Sequence, residues 1–160
     1  MFLGKTLAQA ATQENKFTTW IPSYGAEMRG GTAHCYVKID SRPIASPIVE
    51  EPTIFLIFSQ PSWNKFYPKI HEQALVIVNT SLVNTRDTKK LRTIGFPLNK
   101  IALQIGSLKV ANSIALGLLI KNRRILNPHT VEDVLKERFH QRQDFLSLNI
   151  NAFRWGIAHG

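Results

Sequence analysis

Cysteine is nearly missing from this chain: Cys35 stands alone among 160 residues. One thiol excludes an internal disulfide, a zinc ribbon and an iron–sulfur cluster built from this chain's own ligands. Apolar runs are short. Ile114 to Ile120 is the longest clean stretch, far below the roughly 20 residues of a membrane span. The opening MFLGKTLAQAATQE has neither the apolar region nor the cleavage signal of a secretory leader, so a reduced, cytoplasmic protein is expected. There is no internal repeat, no low-complexity tract and no Gly/Ser linker. Together with the length, these absences leave one domain of ordinary size over 1–160, or one subunit of a larger machine, long enough for a real core.

Acidic residues are scarce where basic ones are dense. The formal charge is +9, from 20 Lys and Arg against 11 Asp and Glu. Residues 1–80 hold seven basic and six acidic side chains, whereas 81–160 hold thirteen and five. A basic half suits an acidic partner, either protein or nucleic acid, although a solvated surface has the same signature. A nucleic-acid module would use Lys89, Lys90, Arg92, Lys121, Arg123 and Arg124. Few aromatics interleave with these cations to stack on bases, which favours a protein partner.

The pattern along the chain alternates strands and helices. Phe2, Leu3, Leu7 and Ala10 mark one face of a first helix. Phe17–Ile21 is a β-branched and aromatic strand that Pro22 is expected to close. Ala33, Cys35, Val37 and Ile39 alternate with polar residues, as in a strand with unlike faces. The runs TIFLIF (53–58) and ALVIV (74–78) read as strands buried on both faces of a parallel sheet, with Pro61 opening a helix to about Ile70. Helices are expected over Lys109–Ile120, after Thr130 through a Thr130/Asp133 capping box, and over Asp144–Trp155. A layered α/β fold, with a mainly parallel sheet flanked by helices, follows.

Candidate sites reduce to one segment. Gly25, Gly30, Gly31 and Thr32 fit a phosphate-loop spacing, but Gly31 stands where its lysine is needed, and the segment leads into a strand rather than a helix. Neighbouring His34 and Cys35 point to opposite faces of a strand and cannot share a metal. His71, His129, His140 and His159 are isolated, and Glu50–Glu51 reads as a solvated pair. PSYGAEMRGGTAHC, from Pro22 to Cys35, instead gathers Tyr24, Glu27 and Arg29 among glycines that permit close approach of another chain. Arg29 can grip a carboxylate or phosphate in two-pronged fashion, or pair with Glu27 to shape the loop.

That segment resembles the signature of the gamma subunit, or gamma-type domain, of 2-oxoacid:ferredoxin oxidoreductases. The match is closest to the 2-oxoglutarate and branched-chain types, with P-S-Y-G-x-E-M-R-G-G-T-A held in order. Ala26 and His34 replace the commoner Pro and Asn. Further likenesses are IASP (44–47), Thr53–Gln60 with Asn64–Phe66, Asn79–Val83, Asn112–Gly117, and Leu148, Asn149, Ala152 and Gly156, so almost the whole chain is covered. The family pattern includes an earlier strand and a G-x-G-G-Q-G turn. Met1 falls just after that turn, so an N-terminally truncated Rossmann-like sheet is the expectation, whether from a late start codon or a shortened gene.

The resemblance implies a subunit without redox centres in a complex that oxidatively decarboxylates a 2-oxoacid, foremost 2-oxoglutarate, to an acyl-CoA and passes electrons to ferredoxin. The complex would use thiamine diphosphate with Mg2+, coenzyme A and [4Fe-4S] clusters, none bound by this chain alone, which would be inactive by itself. Partners would be the alpha and beta subunits, a delta subunit where the complex has one, and ferredoxin, with no membrane and with nucleic acid disfavoured. Ser23, Tyr24, Gly25, Glu27, Arg29, Gly30 and Gly31 would form the surface towards the other subunits and the active site, with no catalytic residue among them. The alternative is a basic binding module for nucleic acid or an acidic protein, without enzymatic role.

Overall fold

Leu75–Asn79 (β4) is buried at every position and is the centre of the molecule. A computed structural model describes residues 1–24, 32–85 and 91–160. β4 pairs in parallel with Ile54–Ile57 (β3) on one side and Arg92–Phe96 (β5) on the other. The period of two in β4 feeds two cores. Leu75 and Ile77 pack with the larger helical core, while Val76 and Val78 join Phe55, Ile57, Trp63 and Val83 on the opposite face. A continuous apolar run is the sequence of such a doubly covered strand.

The larger core is built on Ala111–Arg123 (α4). Ile114–Ile120 is buried without interruption, so this helix is enclosed all round rather than lying on a surface. It begins two residues later than the expected Lys109, because Leu108–Val110 forms a 3-10 turn capped by Ser107. Gln143–His159 (α6) crosses α4, with Phe153 fully buried between them, a burial worth roughly 2–3 kcal/mol. Leu98–Ile105 (α3) follows β5 and ends at Gly106, whose φ of 126° is open to glycine. Neither β5 nor α3 was evident from the sequence pattern.

Phe2–Gln13 (α1) packs on α4, on Pro128–Phe139 (α5) and on a separate antiparallel hairpin. The hairpin pairs Phe17–Ser23 (β1) with His34–Asp40 (β2), from Phe17 opposite Asp40 to Ser23 opposite His34. Pro22 does not close β1 as expected. It sits within the strand opposite Cys35, which the missing N–H permits in a two-stranded ribbon. The capping box at Thr130 is also overturned. Asn127 caps α5, its side chain accepting the His129 N–H at 2.9 Å, and Pro128 occupies the first turn. Thr130 therefore lies one turn inside the helix.

Gln60–Phe66 (α2) follows β3, with Ser59 as its N-cap and Pro61 in its first turn, and a 3-10 turn, Tyr67–Lys69, completes it. No helix among the described residues is long and apolar enough to cross a membrane.

Candidate functional site

The mouth of the β1–β2 hairpin is where the signature segment leaves the sheet. Ser23 is the last paired residue of β1, and Tyr24 beyond it is 70% exposed. Gly25, Ala26, Glu27, Met28, Arg29, Gly30 and Gly31 lie outside the described residues, as do Arg86, Lys89 and Lys90 of the basic half. The described chain resumes at Thr32, whose hydroxyl accepts a hydrogen bond from Lys65 Nζ at 3.2 Å. α2 thus reaches across to anchor the returning limb of the loop.

His34 opens β2 inside an aromatic frame. Its ring stands edge-on to Tyr36 at 5.3 Å and to Phe66 at 5.0 Å, and Lys65 lies over the Phe66 ring at 5.5 Å. Burial pushes the His34 pKa down, and the Lys65 charge adds to it, against a hydrogen bond with the Thr32 backbone. The imidazole is therefore held neutral. His34, read from sequence only as facing away from Cys35 on a strand, is a packed side chain that ties the start of β2 to α2. Cys35, on the other face, is half-buried with its Sγ close over Gly4 of α1, next to Val37 and Trp20.

The other end of α2 lies at the carboxyl edge of the parallel sheet, the edge where α/β proteins build their ligand crevices. Gln60 Oε1 accepts the Asn84 N–H at 2.8 Å, and its Nε2 donates to Asn64 Oδ1 at 2.9 Å. Asn79, at the tip of β4 and fully buried, donates through Nδ2 to Asn99 Oδ1 at 2.9 Å and accepts the Ser81 N–H at 3.2 Å. Sequence reasoning singled out neither Asn99 nor the Gln60–Asn84 bond, because the partners lie far apart in the chain. A depression of about 500 Å³ at the opposite edge is lined by Glu50, Glu51, Lys69, His71, Glu72 and Gln73.

Around the hairpin mouth the chemistry is that of binding and positioning: an exposed phenol, a neutral imidazole, an ammonium group and carboxamides. Among the described residues no group of three His, Cys, Asp or Glu side chains is placed to hold a metal ion.

The family model described as pyruvate ferredoxin/flavodoxin oxidoreductase matches residues 1–159. Ketoisovalerate oxidoreductase subunit VorA of Methanothermobacter marburgensis is 32% identical over 155 residues, 96% of this chain and 32% of that protein. The chain thus spans about a third of the length of the first curated relatives it matches. 2-Oxoglutarate synthase subunit KorC of Archaeoglobus fulgidus is 31% identical over 98% of this chain and 79% of its own length. Among solved structures, the gamma subunit of a keto/oxoacid ferredoxin oxidoreductase from Geobacter sulfurreducens PCA superposes with a TM-score of 0.83 at 25% identity, covering 97% of this chain and 87% of that one. The 2-oxoglutarate:ferredoxin oxidoreductase of Magnetococcus marinus, solved with 2-oxoglutarate, coenzyme A and succinyl-CoA bound, shares the fold with a TM-score of 0.88 at 20% identity, over 99% of this chain and 28% of that one.

Proposed function

The chain belongs to the pyruvate ferredoxin/flavodoxin oxidoreductase family, and from that premise we propose that it is the gamma-type unit, one domain over 1–160, of a cytoplasmic complex that oxidatively decarboxylates a 2-oxoacid to its acyl-CoA and reduces ferredoxin. The observation that carries this reading is the family match, which runs unbroken from residue 1 to residue 159.

The division of labour follows from the donor set. A [4Fe-4S] cluster takes four thiolates and this chain has one, so its residues do not fit the redox centres, which are assigned to the other subunits. The thiamine diphosphate, its Mg2+ and coenzyme A are assigned to the assembled complex in the same way. What this chain would contribute is a surface, made of Ser23, Tyr24, Gly25, Glu27, Arg29, Gly30 and Gly31, towards the alpha subunit and the approach to the active site. Relatives named for ketoisovalerate and for 2-oxoglutarate both match, and 2-oxoglutarate is the substrate we favour.

Reconstitution tests the assignment. The complex is assembled from its subunits with and without this chain, and coenzyme A-dependent ferredoxin reduction is followed with 2-oxoglutarate, 2-oxoisovalerate and pyruvate. The expected result is full activity only with this chain present, highest on 2-oxoglutarate, and none from the chain alone. Arg29→Ala should impair the assembled enzyme by about 1–3 kcal/mol in activity or assembly, with Arg29→Lys rescuing part. Undiminished activity in the complex lacking this chain would remove the proposal.

A further inference from the structure

Between Asp87 and Glu132 the sequence has no carboxylate side chain. The described part of that stretch carries Arg92, Lys100, Lys109, Lys121, Arg123 and Arg124. Folding disposes of these cations unequally. Arg123 donates to the carbonyls of Thr53 and Gln73 at 3.3 and 3.5 Å, and so works within the fold. Lys109, on the 3-10 turn before α4, meets instead the same aromatic ring as Arg142 at the start of α6. Both lie on the ring of Phe145, with Lys109 Nζ 5.6 Å and the Arg142 guanidinium carbon 4.4 Å from its centre.

The π face of Phe145 attracts each cation but carries no net charge, so both positive charges remain unneutralised there. Among the described residues no carboxylate lies within ion-pair distance of either, and Asp144, Arg142's neighbour but one, makes no such pair. Four cations elsewhere have a carboxylate partner, Lys16 with Glu14, Arg42 with Asp40, Lys136 with Asp133 and Arg154 with Glu132, and all four lie outside the acid-free stretch. Beside the uncompensated pair the surface is apolar. Leu103 is 60% and Leu108 50% exposed, on elements that pack against α6, where Gly106 lies against Leu148. Lys100 precedes Leu103 by one turn on the same face of α3. Each exposed leucine thus has a cation on its own element, Lys100 with Leu103 on α3 and Lys109 with Leu108 on the 3-10 turn, and both elements pack against α6.

We infer that this face, formed by α3, the 3-10 turn and the start of α6, is a docking surface for an acidic amphipathic segment of a partner protein. Its carboxylates would meet Lys100, Lys109 and Arg142, and its apolar side chains would cover Leu103 and Leu108. A second copy of this chain would bring the same cations and is repelled. A single-stranded nucleic acid would need a free aromatic face, and the one ring here already carries two cations, while the phosphates of a duplex offer nothing apolar to cover Leu103 and Leu108. A lipid surface is served by one continuous amphipathic helix, whereas these groups come from three short or separate pieces of chain. The inference rests on charge and exposure alone and is independent of the oxidoreductase reading.

The probe is a fluorescein-labelled peptide of about 16 residues, made of Glu and Asp with Leu at every third or fourth position, titrated with the full chain in about 0.15 M salt. Saturable binding is expected, weakening as salt rises. K109E/R142E should lower affinity by at least about tenfold and L103S/L108S by several-fold. K121E/R124E, at the far end of the acid-free stretch, should change it little. Absence of saturable binding, equal loss in K121E/R124E, or tighter binding to duplex DNA or phosphatidylserine vesicles than to the peptide would overturn the inference.

Discussion

Gly117 of α4 and Gly156 of α6 meet backbone to backbone. A Cβ on Gly117 would overlap the carbonyl oxygen of Phe153 and lie 2.9 Å from Gly156 Cα, and one on Gly156 would overlap the carbonyl oxygen of Ile114. The atoms in the way are backbone, which cannot turn aside. Gly117→Ala should therefore force the helices apart and cost about 1–3 kcal/mol, despite alanine's better helix propensity. Denaturant unfolding at pH 7 reads this directly. A stabilised Gly117→Ala would refute the close crossing.

Next along the same interface, Ser113 Oγ donates to Asn149 Oδ1 at 2.6 Å, both side chains buried, while Asn149 Nδ2 donates to the Phe145 carbonyl at 2.7 Å. Ser113→Ala orphans a buried carbonyl oxygen, with an expected loss of about 1–3 kcal/mol. In a double-mutant cycle with Asn149→Leu the two losses should not add, since the second change removes the orphan. Simple additivity would mean that the hydrogen bond contributes nothing.

Glu132 and Arg154 form a two-pronged ion pair, at 2.7 and 2.8 Å, with the carboxylate buried and the guanidinium largely in water. The hydrogen bonds from Arg154 hold the Glu132 carboxyl below the usual carboxylate range, against its burial. Because the folded pKa is depressed, the stabilisation is complete above the unfolded value, about 4.3, and is lost as pH falls through the folded one. Glu132→Gln should cost about 1 kcal/mol at pH 7 and flatten the loss of stability below pH 5. Parallel acid-unfolding curves for the two proteins would contradict this.

His34 has the opposite chemistry and the same sign with pH. Its folded pKa is lowered, by burial first and Lys65 second, so the unfolded chain takes up the proton that the fold resists. Stability is then complete above the unfolded value of about 6.5 and falls as pH is lowered past it. Lys65→Met should move the His34 titration upward, as followed by the imidazole proton resonances. An unchanged titration would place Lys65 away from the ring.

Much of this was legible because the decisive elements are redundant in sequence. ALVIV has no polar residue to mislead, and the strand it forms is covered on both faces. β5 escaped notice for the converse reason. In RTIGF only Ile94 and Phe96 are large and apolar, and Gly95 lies against Thr80, whose Cγ2 would be 2.8 Å from an added Cβ. The strands β1 and β2 were each evident, but not that they pair with each other. Hairpins announce themselves through loops of about two to five residues, and the run from Tyr24 to Ala33 is longer than that. The same distance hid the site's supports. The motif located the loop, while Lys65 and Phe66, which brace its return at Thr32 and His34, come from a helix some thirty residues on.

Among the described residues the hairpin shares no strand pairing with the parallel sheet, and α1 packs on both its strands. That helix is held by α5 through Arg138, which donates to Thr6 Oγ1 at 3.1 Å and lies over the Phe2 ring, and through Glu14, whose carboxylate accepts the Asn127 N–H. The molecule is thus a leaf hinged to a block. Loosening α1 opens the paired amides of β1 and β2 to solvent exchange ahead of those of β4, which is covered on both faces. Two populations of protected amides, separated in exchange rate at the boundary between α1 and α4, are the dynamic signature of that hinge.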